Sequence, residues 1–114
     1  MSNISTHVLD TARGLPAPGV SVTLARRTAP DRWETLTTTA TDADGRVKAL
    51  LPAGTALSAG IFRLSFGTGD YFKKQSIAAF FPAVEIVFEI ADASRHHHVP
   101  LLLSPFGYST YRGS

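Results

Sequence analysis

The feature that most constrains the fold is a series of short segments in which apolar and polar side chains alternate. In the segment 84–90, every second residue from Val84 to Ile90 is apolar, and two glutamates lie between them. A period of two places alternate side chains on opposite faces of a strand, so each segment has one face to bury. Gly, Pro and Asp separate the segments and predict turns. The predicted strands are 5–10, 20–25, 33–41, 46–50, 61–66, 84–90, 96–104 and 107–113.

One segment departs from this pattern and predicts a short helix over 70–81. Asp70 is placed to cap its N-terminus, and Pro82 would end it because proline donates no backbone hydrogen bond. Its apolar residues share one helical face and should bury against a sheet, namely Ile77, Phe80 and Phe81. About eight strands and one helix predict an all-β, antiparallel β-sandwich that forms a single domain over residues 1–114.

Composition excludes several classes of function. The chain of 114 residues has a net charge of +2 and no stripe of Lys or Arg, so the charge pattern of a nucleic-acid-binding protein is missing. It has no cysteine, which excludes disulfides and thiolate chemistry. No apolar stretch approaches the roughly 20 residues that span a bilayer, and no signal peptide is visible. We therefore expect no nucleic-acid partner, no membrane association and a cytoplasmic location.

Histidines are the main candidates for chemistry. Three of the four are consecutive, at positions 96 to 98, and in a strand His96 and His98 share one face while His97 points to the other. Two imidazoles on one face can share a proton, share a metal ion or shift each other's pKa. The same spacing also fits two surface histidines on an edge strand, and a lone His7 also fits a core or surface position. The residues alone therefore name no reaction.

Two segments make the chain similar to a known family. One is Thr6-His7-Val8-Leu9-Asp10 followed by residues 14–17, and the other runs from residue 96 to the final Tyr111-Arg112-Gly113-Ser114. Together with segments 41–46 and 68–72, they resemble the 5-hydroxyisourate hydrolases, the transthyretin-related enzymes of urate breakdown. The final tetrapeptide is the specific part, because it separates these hydrolases from the hormone-carrying transthyretins. One departure is His97, where the family commonly has tyrosine.

The resemblance implies a structure and an activity. The implied fold is a transthyretin-like antiparallel β-sandwich of two four-stranded sheets with one short helix. The implied assembly is a homotetramer, a dimer of dimers with active sites at the dimer–dimer interface. The implied reaction is that of a cyclic amidase, which converts 5-hydroxyisourate to 2-oxo-4-hydroxy-4-carboxy-5-ureidoimidazoline without a cofactor. The family's functional residues fall on His7, Arg46, His96, His98, Tyr111, Arg112 and Ser114.

The chemistry of these residues gives each a predicted role. His7 and His98 would hold or activate water while His96 tunes the pair, and the identity of the general base stays open. Arg46 would hydrogen-bond ring carbonyls and stabilise negative charge as it develops. Ser114 would hydrogen-bond substrate or water. We expect catalytic roles for His7, Arg46, His98 and Ser114, and substrate contacts from His7, Arg46, His96, Tyr111, Arg112 and Ser114.

Other functions remain as alternatives at this point. A transthyretin-like carrier would hold a small aromatic ligand in the same channel without converting it. A structural sandwich domain, such as an adhesin module, would need neither the histidines nor the final tetrapeptide. A further hypothesis is an adventitious zinc site at His7, His96 and His98, since convergent imidazoles are common zinc ligands.

Overall fold

Two β-sheets packed face to face make up the protein, and the computed structural model describes residues 2–114. The first sheet has the strand order β2-β1-β8-β9, with β5 also paired to β1, and the second has the order β4-β3-β6-β7. This arrangement, with one short helix α1, confirms the predicted all-β sandwich. The elements are β1 (Ile4–Asp10), β2 (Leu15–Pro16), β3 (Ser21–Ala29), β4 (Arg32–Ala40), β5 (Arg46–Val47), β6 (Gly60–Phe66), α1 (Thr68–Lys73), β7 (Val84–Ile90), β8 (His97–Ser104) and β9 (Gly107–Thr110).

The first sheet differs in detail from the sequence-based prediction. It has five strands, because β2 and β5 each form a two-residue ladder with β1. The strand predicted over 46–50 therefore ends at Val47, and the strand predicted over 107–113 ends at Thr110. In addition, β1 and β8 are parallel neighbours. Parallel pairing needs a long crossover connection, and here the whole second sheet lies between the two strands in sequence.

The core lies between the sheets and is built from the alternating apolar residues. In β7, Val84, Ile86 and Ile90 are buried as the period of two predicts, and Phe88 stacks on Phe62 with ring centroids 6.0 Å apart. Full burial of an aliphatic or aromatic side chain of this size stabilises a fold by about 1.5–3 kcal/mol. Because this inner face carries the core, the outer face of the first sheet is free to carry polar groups.

The helix begins earlier and is much shorter than the sequence predicted. It spans Thr68–Lys73, Gly67 is its N-cap without a side-chain hydrogen bond, and Asp70 lies within its first turn. A β-carbon on Gly69 would lie 2.6 Å from the carbonyl oxygen of Pro82, so the chain packs closely against this turn. The predicted cap at Asp70 and the predicted extent of the helix were wrong. No helix in the described part of the chain has the length and apolarity to cross a membrane.

A turn at Ser76 ends the helical path. Ser76 has a φ of 57°, and the N–H of Ile77 donates to the carbonyl of Phe72 at 3.0 Å, which is the hydrogen-bond pattern of a Schellman motif. Beyond this turn, Phe80 is 71% exposed and does not bury on a helical face. The apolar spacing over 70–81 therefore predicted a helix where a tertiary turn redirects the chain.

A buried hydrogen bond ties the helix to the end of β1. The hydroxyl of Tyr71 donates to Oδ2 of Asp10 at 2.8 Å, and both side chains are buried. Burial, followed by the hydrogen bond to Asp10, raises the pKa of Tyr71. This contact fixes one end of the strand that carries the first candidate residues of the site.

Candidate active site

Strand register brings distant polar residues together on the outer face of the first sheet. Ser5 in β1 lies directly beside His98 in the parallel strand β8, and His7 lies directly beside Arg46 in β5. Directly paired residues present their side chains on the same face, and residues two apart on one strand share that face. All four side chains therefore belong to one surface of the sheet.

A cleft with a volume of about 530 Å³ opens on this surface. Its volume falls within the roughly 300–1,000 Å³ that is usual for small-molecule sites. Three predicted site residues come from two separate strands or their ends, and a fourth comes from the C-terminal tail. The cleft is lined by Ser5, Thr6, Arg46, Val47, Lys48, His96, His98 and Ser114.

The hydroxyl of Ser5 joins two of the histidines. Its Oγ lies 2.8 Å from Nε2 of His96 and 2.7 Å from Nδ1 of His98, and Ser5 is only 8% exposed. His97 is buried on the other side of the sheet, where its Nδ1–H donates to the carbonyl of Arg95 at 2.9 Å. Strand alternation thus separates the three consecutive histidines as the sequence predicts.

His7 is held by the turn that carries Arg46. Its Nε2 lies 2.8 Å from the carbonyl oxygen of Asp44, and a carbonyl only accepts, so the proton of this hydrogen bond is on His7. The ring is partly buried and is not among the residues that line the cleft. The structure therefore pairs His98 with His96, whereas the sequence-based hypothesis paired His98 with His7.

The turn at residues 42–45 fixes the backbone of Arg46. Oδ1 of Asp42 accepts hydrogen bonds from the N–H groups of Asp44 and Arg46, each at 2.9 Å. The backbone hydrogen bond from Arg46 is the main cause of the lowered pKa of Asp42. Gly45 has a φ of 73°, and a β-carbon there would lie 2.4 Å from the carbonyl oxygen of Val8. Glycine is thus required at position 45. The tight turn that it allows precedes Arg46, which lines the cleft.

The C-terminal tail lies against His98. The N–H of Gly113 donates to the carbonyl of His98 at 2.8 Å, which forms an isolated antiparallel bridge. A β-carbon on Gly113 would lie 2.5 Å from Cδ2 of His98, so only a glycine lets the backbone approach the imidazole this closely. The bridge brings Ser114 to the wall of the cleft.

Comparison with known protein families matches almost the whole chain. The model of the HIUase/Transthyretin family covers residues 4–113. The chain belongs to this family. The match includes every residue that the sequence proposed for the site except Ser114, which follows its last matched position.

Relatives within the HIUase/Transthyretin family include both hydrolases and transthyretins. A 5-hydroxyisourate hydrolase of Salmonella typhi is 49% identical, over 99% of this chain and 82% of its own length. The structure of Klebsiella pneumoniae 5-hydroxyisourate hydrolase is 39% identical with a TM-score of 0.86, over 100% of this chain and 94% of that one. Sea bream transthyretin, solved with thyroxine, is 32% identical with a TM-score of 0.89, over 96% of this chain and 93% of that one. Backbone similarity therefore does not distinguish hydrolases from transthyretins. The distinction has to come from the side chains of the cleft.

Two more residues of the predicted site, besides His7, do not line the cleft. Tyr111 and Arg112 line a neighbouring cavity of about 310 Å³ beside the edge strand β7. His98 borders both cavities, and residues of the C-terminal tail line each of them. A role for Tyr111 and Arg112 in substrate binding stays a prediction.

Four residues that line the cleft were not predicted from the sequence, namely Ser5, Thr6, Val47 and Lys48. Ser5 precedes His7 by two positions in β1, and Lys48 follows Arg46 by two positions. In a strand, a spacing of two keeps side chains on one face, so this parity would have pointed to Ser5 once His7 was chosen. The bond from Ser5 to His98 follows only from the pairing of β1 with β8.

The electrostatics of the cleft favour a neutral His98. Burial is the largest cause that lowers its pKa below the ordinary value of 6.5, and the positive charge of Arg46 is the next, followed by His7 and His96. A lowered pKa keeps the imidazole unprotonated at physiological pH, which is the form that accepts a proton. Geometry and charge therefore single out His98 among the histidines of the site.

We expect the ring of His98 to titrate below pH 6.5 in an NMR titration of the labelled histidines. Since the Arg46 guanidinium disfavours the imidazolium, Arg46→Gln should raise this midpoint toward the ordinary value. Arg27→Gln is the matched control, because Arg27 is exposed in β3 of the other sheet. A wild-type midpoint at or above the ordinary value, or equal midpoints in both variants and wild type, would contradict this account.

Metal binding has a weaker geometric basis than the sequence suggested. Within residues 2–114, no three His, Cys, Asp or Glu side chains are grouped so that they could hold a metal ion. The ring of His7, one of the three proposed zinc ligands, is engaged with the carbonyl of Asp44.

Proposed function

We propose that this protein hydrolyses the cyclic amide of 5-hydroxyisourate to 2-oxo-4-hydroxy-4-carboxy-5-ureidoimidazoline, in urate degradation. The observation that carries the proposal is one small cleft that combines His98, Arg46 and Ser114. Full-length similarity to proteins named 5-hydroxyisourate hydrolase supports it. The absence of a cofactor and the cytoplasmic location stay predictions from the sequence.

His98 is the proposed general base. Its Nδ1 is engaged by Ser5, which leaves Nε2 as the ring nitrogen for a water molecule in the cleft. As the water oxygen bonds to the amide carbon, its proton passes to Nε2. When the carbon–nitrogen bond breaks, the same proton can pass to the leaving ring nitrogen. A positioned general base of this kind typically contributes about 10²–10⁴-fold to the rate.

Positive charge in the cleft can stabilise the negative charge that develops when water attacks the amide. Attack on the amide places negative charge on the carbonyl oxygen. A guanidinium such as that of Arg46 offers several donors in one plane, and Lys48 lines the same cleft. Ser114, which also lines the cleft, adds a hydroxyl that can hydrogen-bond the substrate. His7 would act mainly by holding the turn that presents Arg46.

The second candidate function, a carrier of aromatic ligands, is favoured by the likeness to sea bream transthyretin. The lining of the cleft argues against it. Val47 is the only large apolar side chain among the residues that line the cleft, and the other residues are hydroxyl-bearing, basic or imidazole side chains. A site for a large aromatic ligand is lined mostly by apolar groups, whereas a small polar ring with several carbonyls suits this cleft.

The proposal includes a homotetramer, a dimer of dimers with active sites at the dimer–dimer interface. Exposed apolar side chains support it: Phe80 and Phe106 are each 71% exposed, and Val87 in β7 is also exposed. β7 and β9 are the outermost strands of their sheets, and free strand edges are places where a second chain can pair. Packing of a second dimer over the outer face of the first sheet would close the cleft to bulk water.

Turnover of freshly prepared 5-hydroxyisourate tests the proposed function. The purified protein should speed the loss of the substrate's ultraviolet absorbance above the spontaneous rate, and mass spectrometry should identify the ring-opened product. A thyroxine-binding titration run in parallel tests the carrier function. Spontaneous-rate decay together with saturable thyroxine binding would reject the hydrolase and favour the carrier.

A further inference from the structure

The bridge from His96 through Ser5 to His98 restricts where protons can lie. A serine hydroxyl has one hydrogen, so it can donate to only one of two imidazole nitrogens. Toward the other nitrogen it must accept, which requires a proton on that nitrogen. With both contacts at 2.8 Å or less, the tautomers of His96 and His98 are coupled.

Only two arrangements satisfy both hydrogen bonds when the histidines are neutral. In the first, Ser5 donates to Nε2 of His96 and accepts from Nδ1–H of His98, so Nε2 of His98 carries a lone pair. In the second, Ser5 donates to Nδ1 of His98, so the proton of His98 is on Nε2. Only the first arrangement gives His98 a nitrogen that can take a proton from water.

We propose that Ser5 is a positioning residue whose hydroxyl, anchored on His96, holds His98 in the Nδ1–H tautomer and leaves its Nε2 free as the proton acceptor. The catalytic meaning of this inference rests on the proposed hydrolysis. The tautomer itself does not, because it is a property of the protein without substrate.

Charge in the cleft selects this arrangement over the other. Arg46 and Lys48 border the same cleft as His98, and both carry positive charge. A lone pair on Nε2 is attracted by that charge, whereas an N–H on Nε2 would present a positive dipole end to it. His96 is exposed, so its Nδ1–H can donate to water at little cost. His7, whose Nε2–H is directed to the carbonyl of Asp44, does not compete for Ser5.

Protonation of His96 would reverse the selection. A cationic His96 has a proton on each nitrogen and can only donate to Ser5. The hydroxyl must then donate to Nδ1 of His98, and Nε2 of a neutral His98 becomes protonated. The exposed His96 thereby influences the base through the hydroxyl of Ser5.

Nitrogen-15 NMR of the histidine rings tests the inference directly. At about pH 8, where histidines are neutral, long-range proton–nitrogen spectra distinguish a protonated from an unprotonated ring nitrogen. The wild-type signal that disappears in His98→Asn should show a protonated Nδ1 and an unprotonated Nε2. In Ser5→Ala, the same ring should move toward the Nε2–H tautomer.

Two further variants separate positioning from a general effect on folding. Ser5→Thr keeps a hydroxyl and suits a strand, so it should retain the wild-type tautomer. Ser65→Ala makes the Ser-to-Ala change in β6 of the other sheet and should leave the spectrum unchanged. In turnover, Ser5→Ala should lower kcat about tenfold, the loss expected for one hydrogen bond, with KM changed by less than about twofold. Ser5→Thr should recover most of that loss.

The outcomes distinguish this inference from the proposed function. A wild-type His98 with its proton on Nε2, or a tautomer unchanged by Ser5→Ala, would overturn the role of Ser5 even if the protein opens the substrate ring. Failure of the wild-type protein to open the ring, together with the expected tautomer shift, would instead reject the hydrolase and leave the assignment of Ser5 standing.

Discussion

Replacing His98 with asparagine should lower kcat for ring opening by about 10²–10⁴-fold, the contribution of a general base. The amide of asparagine lies near the position of Nδ1 and can still hydrogen-bond Ser5, which contacts that nitrogen in the structure. The nitrogen at the Nε2 position is lost, so no group remains to take the proton from water. Stopped-flow measurement of the substrate's ultraviolet absorbance would give kcat and KM for the variant.

His97→Asn is the control for this experiment. His97 is the adjacent histidine, but it is buried on the inner face of the sheet and hydrogen-bonds the carbonyl of Arg95. We expect this variant to retain most of the wild-type kcat, because it does not line the cleft. Thermal unfolding of both variants would show whether the fold is preserved. Full activity in His98→Asn, or an equal loss in both variants, would contradict the assignment of His98 as the base.

Gly113→Ala should lower kcat by about 10²-fold, the scale expected when a catalytic group is displaced by about 1 Å. The added methyl carbon would lie 2.5 Å from Cδ2 and 3.2 Å from Cγ of His98. Either the imidazole rotates away from Ser5, or the backbone bridge from Gly113 to His98 breaks and withdraws Ser114 from the cleft. The first outcome separates His98 from Ser5, and the second separates Ser114 from the other residues of the cleft.

Gly107→Ala is the matched control, since it adds the same methyl group to a nearby glycine of the C-terminal region. A β-carbon on Gly107 would meet only the side-chain oxygen of Ser104, at an ordinary distance of 3.7 Å. This variant should keep wild-type kcat and the wild-type ring signals of His98. If Gly113→Ala is as active as Gly107→Ala, the close packing of the tail on His98 has no part in catalysis.

The sequence by itself determined the approximate positions of the longer strands and the face on which their side chains lie. The predicted strand 84–90 matches β7 at both ends, and strand parity alone separated His97 from its two neighbours. These predictions succeed because a strand's face is a local property: side chains alternate with a period of two, and burial of one face imposes that period on the sequence.

The extent of the helix was decided by tertiary packing. Apolar spacing predicted a helix over 70–81, but the chain turns at Ser76 and leaves Phe80 exposed. Helical periodicity reports which residues are apolar, and it does not report whether those residues have a surface to bury against. Tertiary context therefore overrides the local pattern in a segment this short.

Only the tertiary structure decided which polar residues are neighbours in the site. The parallel register of β1 and β8 puts Ser5 beside His98, and the short ladder with β5 puts Arg46 beside His7. The family resemblance named most of these residues but not Ser5, and it did not separate His7 from the His96–His98 pair. The apolar pattern fixes which face of each strand is buried. Which strands become neighbours depends on hydrogen bonds between segments far apart in sequence, and the pattern within one segment does not report it.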